Sequence, residues 1–194
     1  MHKIKLINKA VLVTAIMGGL AAAQAKPVVL RVHHFLGLQT AQHTMINDWC
    51  NTIAAKSAGE LTCKIYPAMQ LGGSPPQLYD QARDAVADVV WTVAGYSGNR
   101  FAKSQAFELP FTMTGAEATS RAAWDYMTQD AADEISEVKM LAVHVSGPGI
   151  IFTNKRPIRT ASDLKDMRMR GPTVPVTAML KAFGATPVAM PVPK

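Results

Sequence analysis

An α/β fold is the class this sequence predicts, and three observations carry it. Residues 28–66 read strand, helix, strand with short connections, which implies a parallel pair. Asp88-Val-Val-Trp-Thr-Val93 is a continuous apolar run of strand length, as in a sheet covered on both faces. The alternation returns in residues 160–190, which read one-turn helix, strand, helix and strand again.

Residues 1–25 read as a cleavable secretory signal. Lys3, Lys5 and Lys9 form a basic start, Ala10 to Ala22 is apolar, and Ala23-Gln24-Ala25 fits the small-x-small cleavage rule. The apolar run is too short for a membrane anchor and is broken by Gly18-Gly19. Cleavage removes three lysines and no acid, halving the formal net charge of +6. The basic balance therefore owes much to the leader, and no Lys/Arg run with interleaved aromatics speaks for nucleic acid. Hydrophobic residues at 48% and charged residues at 18% are globular values.

Val28 to His33 is β-branched and forms the first strand. Thr40 to Ala58 carries Met45, Ile46, Trp49, Ile53 and Ala54 at near-helical spacing, with Gly59 as its stop. Leu61 to Tyr66 alternates as the second strand and ends at Pro67. Cys50 on the helix and Cys63 on the next strand are the only cysteines, and an exported chain meets an oxidising compartment. A disulfide between them is expected. Gln70 to Pro76 is a loop, after which Ser74 caps and the prolines open a helix through Ala85. The strand at 88–93 runs out into Ala94-Gly95-Tyr96-Ser97-Gly98. Gly115 to Glu137 is predicted as one helix with Trp124 and Met127 inside. Lys139–Val145 and Ile150–Asn154 read as strands. A domain break is expected between residues 110 and 120, giving a first lobe over 26–115 and the start of a second over 116–194.

The segment with most chemistry is Asp163-Leu-Lys-Asp-Met-Arg-Met-Arg170-Gly-Pro. A guanidinium fixed where a strand runs out suits capture of a carboxylate, because its planar fork donates two parallel hydrogen bonds. Strand carboxyl ends are also where ligands sit in α/β sheets. Arg168 reads as an ordinary surface arginine. Tyr96 and Trp91 are candidate pocket walls, His33 or His34 a candidate donor beside the crevice, and Gln70 a turn residue within reach of it. His144 near Ser146 is not a nucleophile elbow, since the Gly-x-Ser-x-Gly frame is absent. No paired carboxylates, metal-ligand spacing or phosphate loop stands out. A non-enzymatic binder without cofactor is therefore expected. A secreted α/β enzyme and an inert remnant are the competing readings.

Three segments then carry a family resemblance: Tyr66-Pro-Ala-Met-Gln-Leu-Gly-Gly73; Ala87 to Tyr96 with Arg100-Phe101 and Phe107-Glu-Leu-Pro-Phe111; and Asp163 to Arg170 with Phe183 to Met190. In order and spacing the chain resembles the periplasmic solute-binding subunit of TRAP (tripartite ATP-independent periplasmic) transporters, dicarboxylate-transporter type. The resemblance implies a two-lobed periplasmic binding protein fold (type II-like) that closes on a small organic acid and delivers it to a TRAP membrane permease. It implies that Arg170 pairs with the ligand carboxylate. Members with a second arginine carry it where Gly149-Ile150-Ile151 stands here, which favours a monocarboxylate. Members also continue past the point where this chain stops. A C-terminally truncated, incomplete second lobe is therefore expected, with Pro187, Pro191 and Pro193 keeping the tail out of a central strand.

Overall fold

The structure is a computed structural model that describes residues 26–154 and 156–192. The leader assigned to residues 1–25 and the proline at 193 lie outside the described residues.

A three-stranded parallel sheet in the order β2-β1-β3 organises the first half: β1 is Val28–His34, β2 Leu61–Tyr66 and β3 Val89–Trp91. The register sets His33 opposite Tyr66 and His34 opposite Trp91, so all three carboxyl ends open on one edge. β3 is shorter than the predicted 88–93 run at both ends, and Asp88 at its start is bound to Arg31. Its carboxylate accepts from the Arg31 backbone N–H at 2.7 Å and pairs with the guanidinium at 3.0 Å.

Helix α1 (Ala41–Lys56) starts where predicted, with the Thr40 hydroxyl accepting from the His43 N–H. Its buried stripe is His43, Ile46 and Cys50, so Met45 faces outward and is 49% exposed, against expectation. One residue is 100° of helix, and the polar His43 claims the inward position because it has a partner below. Ile46 and Cys50 pack on Val32, joined by Leu30, Trp49, Ile65 and Val89. The Cys50–Cys63 disulfide ties α1 to β2, with Cα atoms 5.7 Å apart. Gly59, at φ +84°, donates back to Ala54 at 2.9 Å and turns the chain into β2.

After β2, Ala68 and Met69 both hold positive φ. Such backbone costs about 1 kcal/mol per residue and persists only where the surroundings impose it. Here both amides donate to the loop after β1, to the carbonyls of Leu36 and His34, while Met69 is buried against Phe35 and Leu78. Pro75–Gln77 forms a 3-10 turn, and α2 runs Leu78–Arg83. It stops before the predicted Ala85, which adopts φ +56°.

Two 3-10 segments, Ala94–Phe101 and Ser104–Glu108, lead to α3 (Ala116–Gln129). The single helix predicted to Glu137 is broken at Asp130–Ala131, and a 3-10 turn follows at Ala132–Ile135. The inward stripe of α3 is Thr119, Ala123 and Met127, which leaves Trp124 38% exposed rather than inside. The strands predicted at 139–145 and 150–154 do not form. A strand exists only by pairing, and no described segment offers these residues a ladder; Ile150 and Phe152 stand 73% and 86% exposed.

A 3-10 turn at Ala161–Leu164 precedes a second strand-helix-strand unit: β4 (Arg168–Gly171), α4 (Val174–Ala182) and β5 (Thr186–Ala189). β4 and β5 are parallel around a core of Leu164, Leu180 and Ala185. Pro187 lies inside β5. Thr186 and Met190 donate toward β4, so alternation points the position of Pro187's missing N–H to the other edge.

Candidate functional site

Arg170 leaves β4 with its guanidinium partly committed. Nε donates to the carbonyls of Met190 at 2.9 Å and Pro191 at 3.3 Å, and one Nη donates to the Tyr96 hydroxyl at 3.3 Å. These contacts fix the plane of the fork. Nη1 has no hydrogen-bond partner among the described residues.

Tyr96 sits in the turn that follows β3, its N–H donating to Val93. Its ring lies 5.6 Å from that of Phe35, which lies 5.3 Å from that of Trp91. Trp91 donates its indole N–H to His144 Nε2 at 3.0 Å, and the two rings stack 5.8 Å apart. Indole nitrogen can only donate, so the His144 proton sits on Nδ1. The outcome is a row of rings with a cation at one end: Arg170, Tyr96, Phe35, Trp91, His144. A shallow groove bordered by Arg168, Met169, Val188 and Met190 adjoins Arg170. A second groove lies between α3 and residues 141–143, but its Arg121 is already paired with Glu117 at 2.9 Å.

Of the residues singled out from sequence, Arg170, Tyr96 and Trp91 are thus brought into one row. Gln70 is exposed on the turn after β2. His34 is a correction: it is fully buried, not lining a crevice. Its Nδ1 accepts from the Leu36 N–H at 3.2 Å and its Nε2 meets His43 Nδ1 at 3.0 Å, so both ring nitrogens are used. His33 is equally buried, between Gln81 at 2.6 Å and the Leu71 N–H at 3.4 Å. Phe35, buried in the core behind Tyr96 and Trp91, and His144 join the row without having been singled out from sequence. Phe35 was legible as the apolar residue leaving β1, whereas His144 reaches Trp91 from 53 residues away.

Burial, with His43 and His33 nearby, pushes the His34 imidazole down to about 4. Unfolding returns it to the ordinary histidine range, so the unfolded state takes up a proton that the folded state refuses. Stability is therefore expected to fall as pH drops from about 6.5 toward 4, by on the order of 3 kcal/mol from this residue, and to level off below. Denaturant unfolding across that range should show the loss, and His34→Gln should reduce it, leaving the part from His33, whose imidazole burial also holds below the ordinary histidine range.

Residues 32–193 match the family described as DctP, bacterial extracellular solute-binding protein, family 7. This chain belongs to that family. It is 31% identical over 174 residues to the outer membrane transporter protein TsaT of Comamonas testosteroni, covering 88% of this chain and 51% of TsaT. A TRAP solute-binding protein of Rhodoferax ferrireducens T118, solved with copurified benzoate, is 50% identical with a TM-score of 0.83, over 86% of this chain and 52% of that one. A marine metagenome TRAP solute-binding protein specific for aromatic acids, solved with 3-hydroxybenzoate, is 48% identical with the same TM-score and coverage. The chain shares the α/β fold of the matched part of these structures and spans about half the length of the curated relatives it matches. The family description and these structures are of solute-binding proteins rather than enzymes.

Proposed function

We propose that this chain is the ligand-binding part of a periplasmic receptor for aromatic monocarboxylates, which hands its ligand to a TRAP-type membrane permease. The observation that carries the reading is the row of rings ending in one guanidinium. An aryl carboxylate has the same two parts: a flat apolar ring and a single charged fork. The carboxylate takes the open side of Arg170, with Tyr96 and Arg170 as its polar contacts. The aryl ring lies beside Tyr96, Trp91 and His144, with Phe35 backing them from the core, where edge and offset stacking add about 0.5–1.5 kcal/mol per pair beyond area burial. The apolar Gly149-Ile150-Ile151 stretch offers no second cation for a dicarboxylate. The ligands of the two structures near 50% identity, benzoate and 3-hydroxybenzoate, fit this chemistry. The leader-like sequence of residues 1–25 and the Cys50–Cys63 disulfide suit a periplasmic location.

Thermal shift with benzoate, 3-hydroxybenzoate and succinate tests the reading. A specific ligand at a hundred times its Kd stabilises by about 2.7 kcal/mol. The two aryl acids should raise the unfolding temperature and succinate should not; a larger shift with succinate would overturn the assignment.

A further inference from the structure

Arg170 and Tyr96 each sit beside a glycine that the packing requires. A Cβ on Gly95, the residue before Tyr96, would collide with the Glu108 carboxylate and the Thr173 side chain. A Cβ on Gly171, the residue after Arg170, would collide with the Thr177 side chain and come within 3.2 Å of its backbone. Between the two glycines runs a continuous link. The Thr173 hydroxyl donates a hydrogen bond to the Glu108 carboxylate. Thr173 is the residue that caps α4, and its carbonyl accepts from the Thr177 N–H at 3.0 Å. Thr173 is 8% exposed and Glu108 half-buried. Nothing else in the ligand reading uses Glu108, a carboxylate placed close to a site meant for an anion.

We infer that Glu108 is a positioning residue: through Thr173 it ties the β4–α4 corner to the Ser104–Glu108 segment, whose carboxylate packs against Gly95, and so sets Arg170 against Tyr96. The inference rests on the aryl-carboxylate reading for its effect on affinity, but not for its effect on geometry. Glutamine at 108 keeps a carbonyl oxygen for the Thr173 hydroxyl, whereas alanine does not. Valine at 173 keeps the shape and removes the donor; serine restores it.

The test combines benzoate calorimetry, thermal unfolding and amide hydrogen exchange on the ligand-free protein. Glu108→Ala and Thr173→Val should each lower benzoate affinity by about tenfold, the scale of one hydrogen bond to a charged group. The double variant should be no weaker than either single one. Glu108→Gln and Thr173→Ser should stay within about threefold of the parent. In the alanine variant, exchange should quicken at residues 95–97 and 173–177 while β1 to β3 stay protected. Unchanged affinity and unchanged exchange in Glu108→Ala would overturn the inference. So would a general loss of protection and unfolding temperature, which marks a merely structural residue. If the parent binds no benzoate yet exchange still quickens at those two segments, the clamp stands and the ligand reading falls.

Discussion

Replacing Arg170 with alanine is expected to abolish aryl-carboxylate binding while leaving the thermal unfolding of the free protein close to that of the parent. The guanidinium is exposed and contributes little to the core; its hydrogen bonds go to the carbonyls of Met190 and Pro191 and to the Tyr96 hydroxyl. In a closed site the same group would be desolvated against the ligand carboxylate. Removing one partner of such a pair costs about 2–5 kcal/mol, which is a loss of roughly thirtyfold or more. Arg170→Lys is expected to lose most of the affinity as well. A lysine ammonium cannot hold the Met190 and Pro191 carbonyls from Nε while offering a planar edge to two carboxylate oxygens. Isothermal calorimetry with benzoate decides the matter: an alanine variant with parental affinity would take Arg170 out of the site.

Breaking the Cys50–Cys63 disulfide is the largest expected effect on stability. It closes a loop of 13 residues between α1 and the edge strand β2. In the chain-entropy estimate a loop of that size stabilises by about 3 kcal/mol. For a domain of this size that is roughly 6–12 °C in unfolding temperature. The Cys50→Ala, Cys63→Ala double variant should show this drop, and reductant should lower the parent to a similar value. Because Cys50 also packs on Val32 and Ile46, the double variant should fall slightly below the reduced parent. Mass spectrometry after thiol labelling provides the control. Full labelling of the unreduced, exported protein would mean that no bridge exists to be lost.

Sequence alone determined the elements whose causes are local. The strand at 28–34, the helix from its Thr40 cap, the strand at 61–66 and the 168–189 strand-helix-strand unit follow from β-branched runs, 3.6-residue spacing, caps and Gly/Pro punctuation. The place of Arg170 at the end of β4 was legible for the same reason: Gly171-Pro172 marks where the strand stops. Tertiary structure decided whatever depends on a partner distant in sequence. The apolar 139–145 and 150–154 runs have strand composition but no ladder to join, so they are not strands. Met45 and Trp124 gave up inward positions to His43 and to Thr119 and Ala123, because which face of a helix is buried is set by what it packs on. His34 looked like a crevice residue at a strand end, yet His43 and the Leu36 amide fill its hydrogen-bonding capacity in the core. The row from Arg170 to His144 joins residues 170, 96, 35, 91 and 144, and the Glu108–Thr173 link spans 65 positions. Such juxtapositions come from the sheet register and the close approach at Gly95 and Gly171, and no local pattern in the chain encodes them.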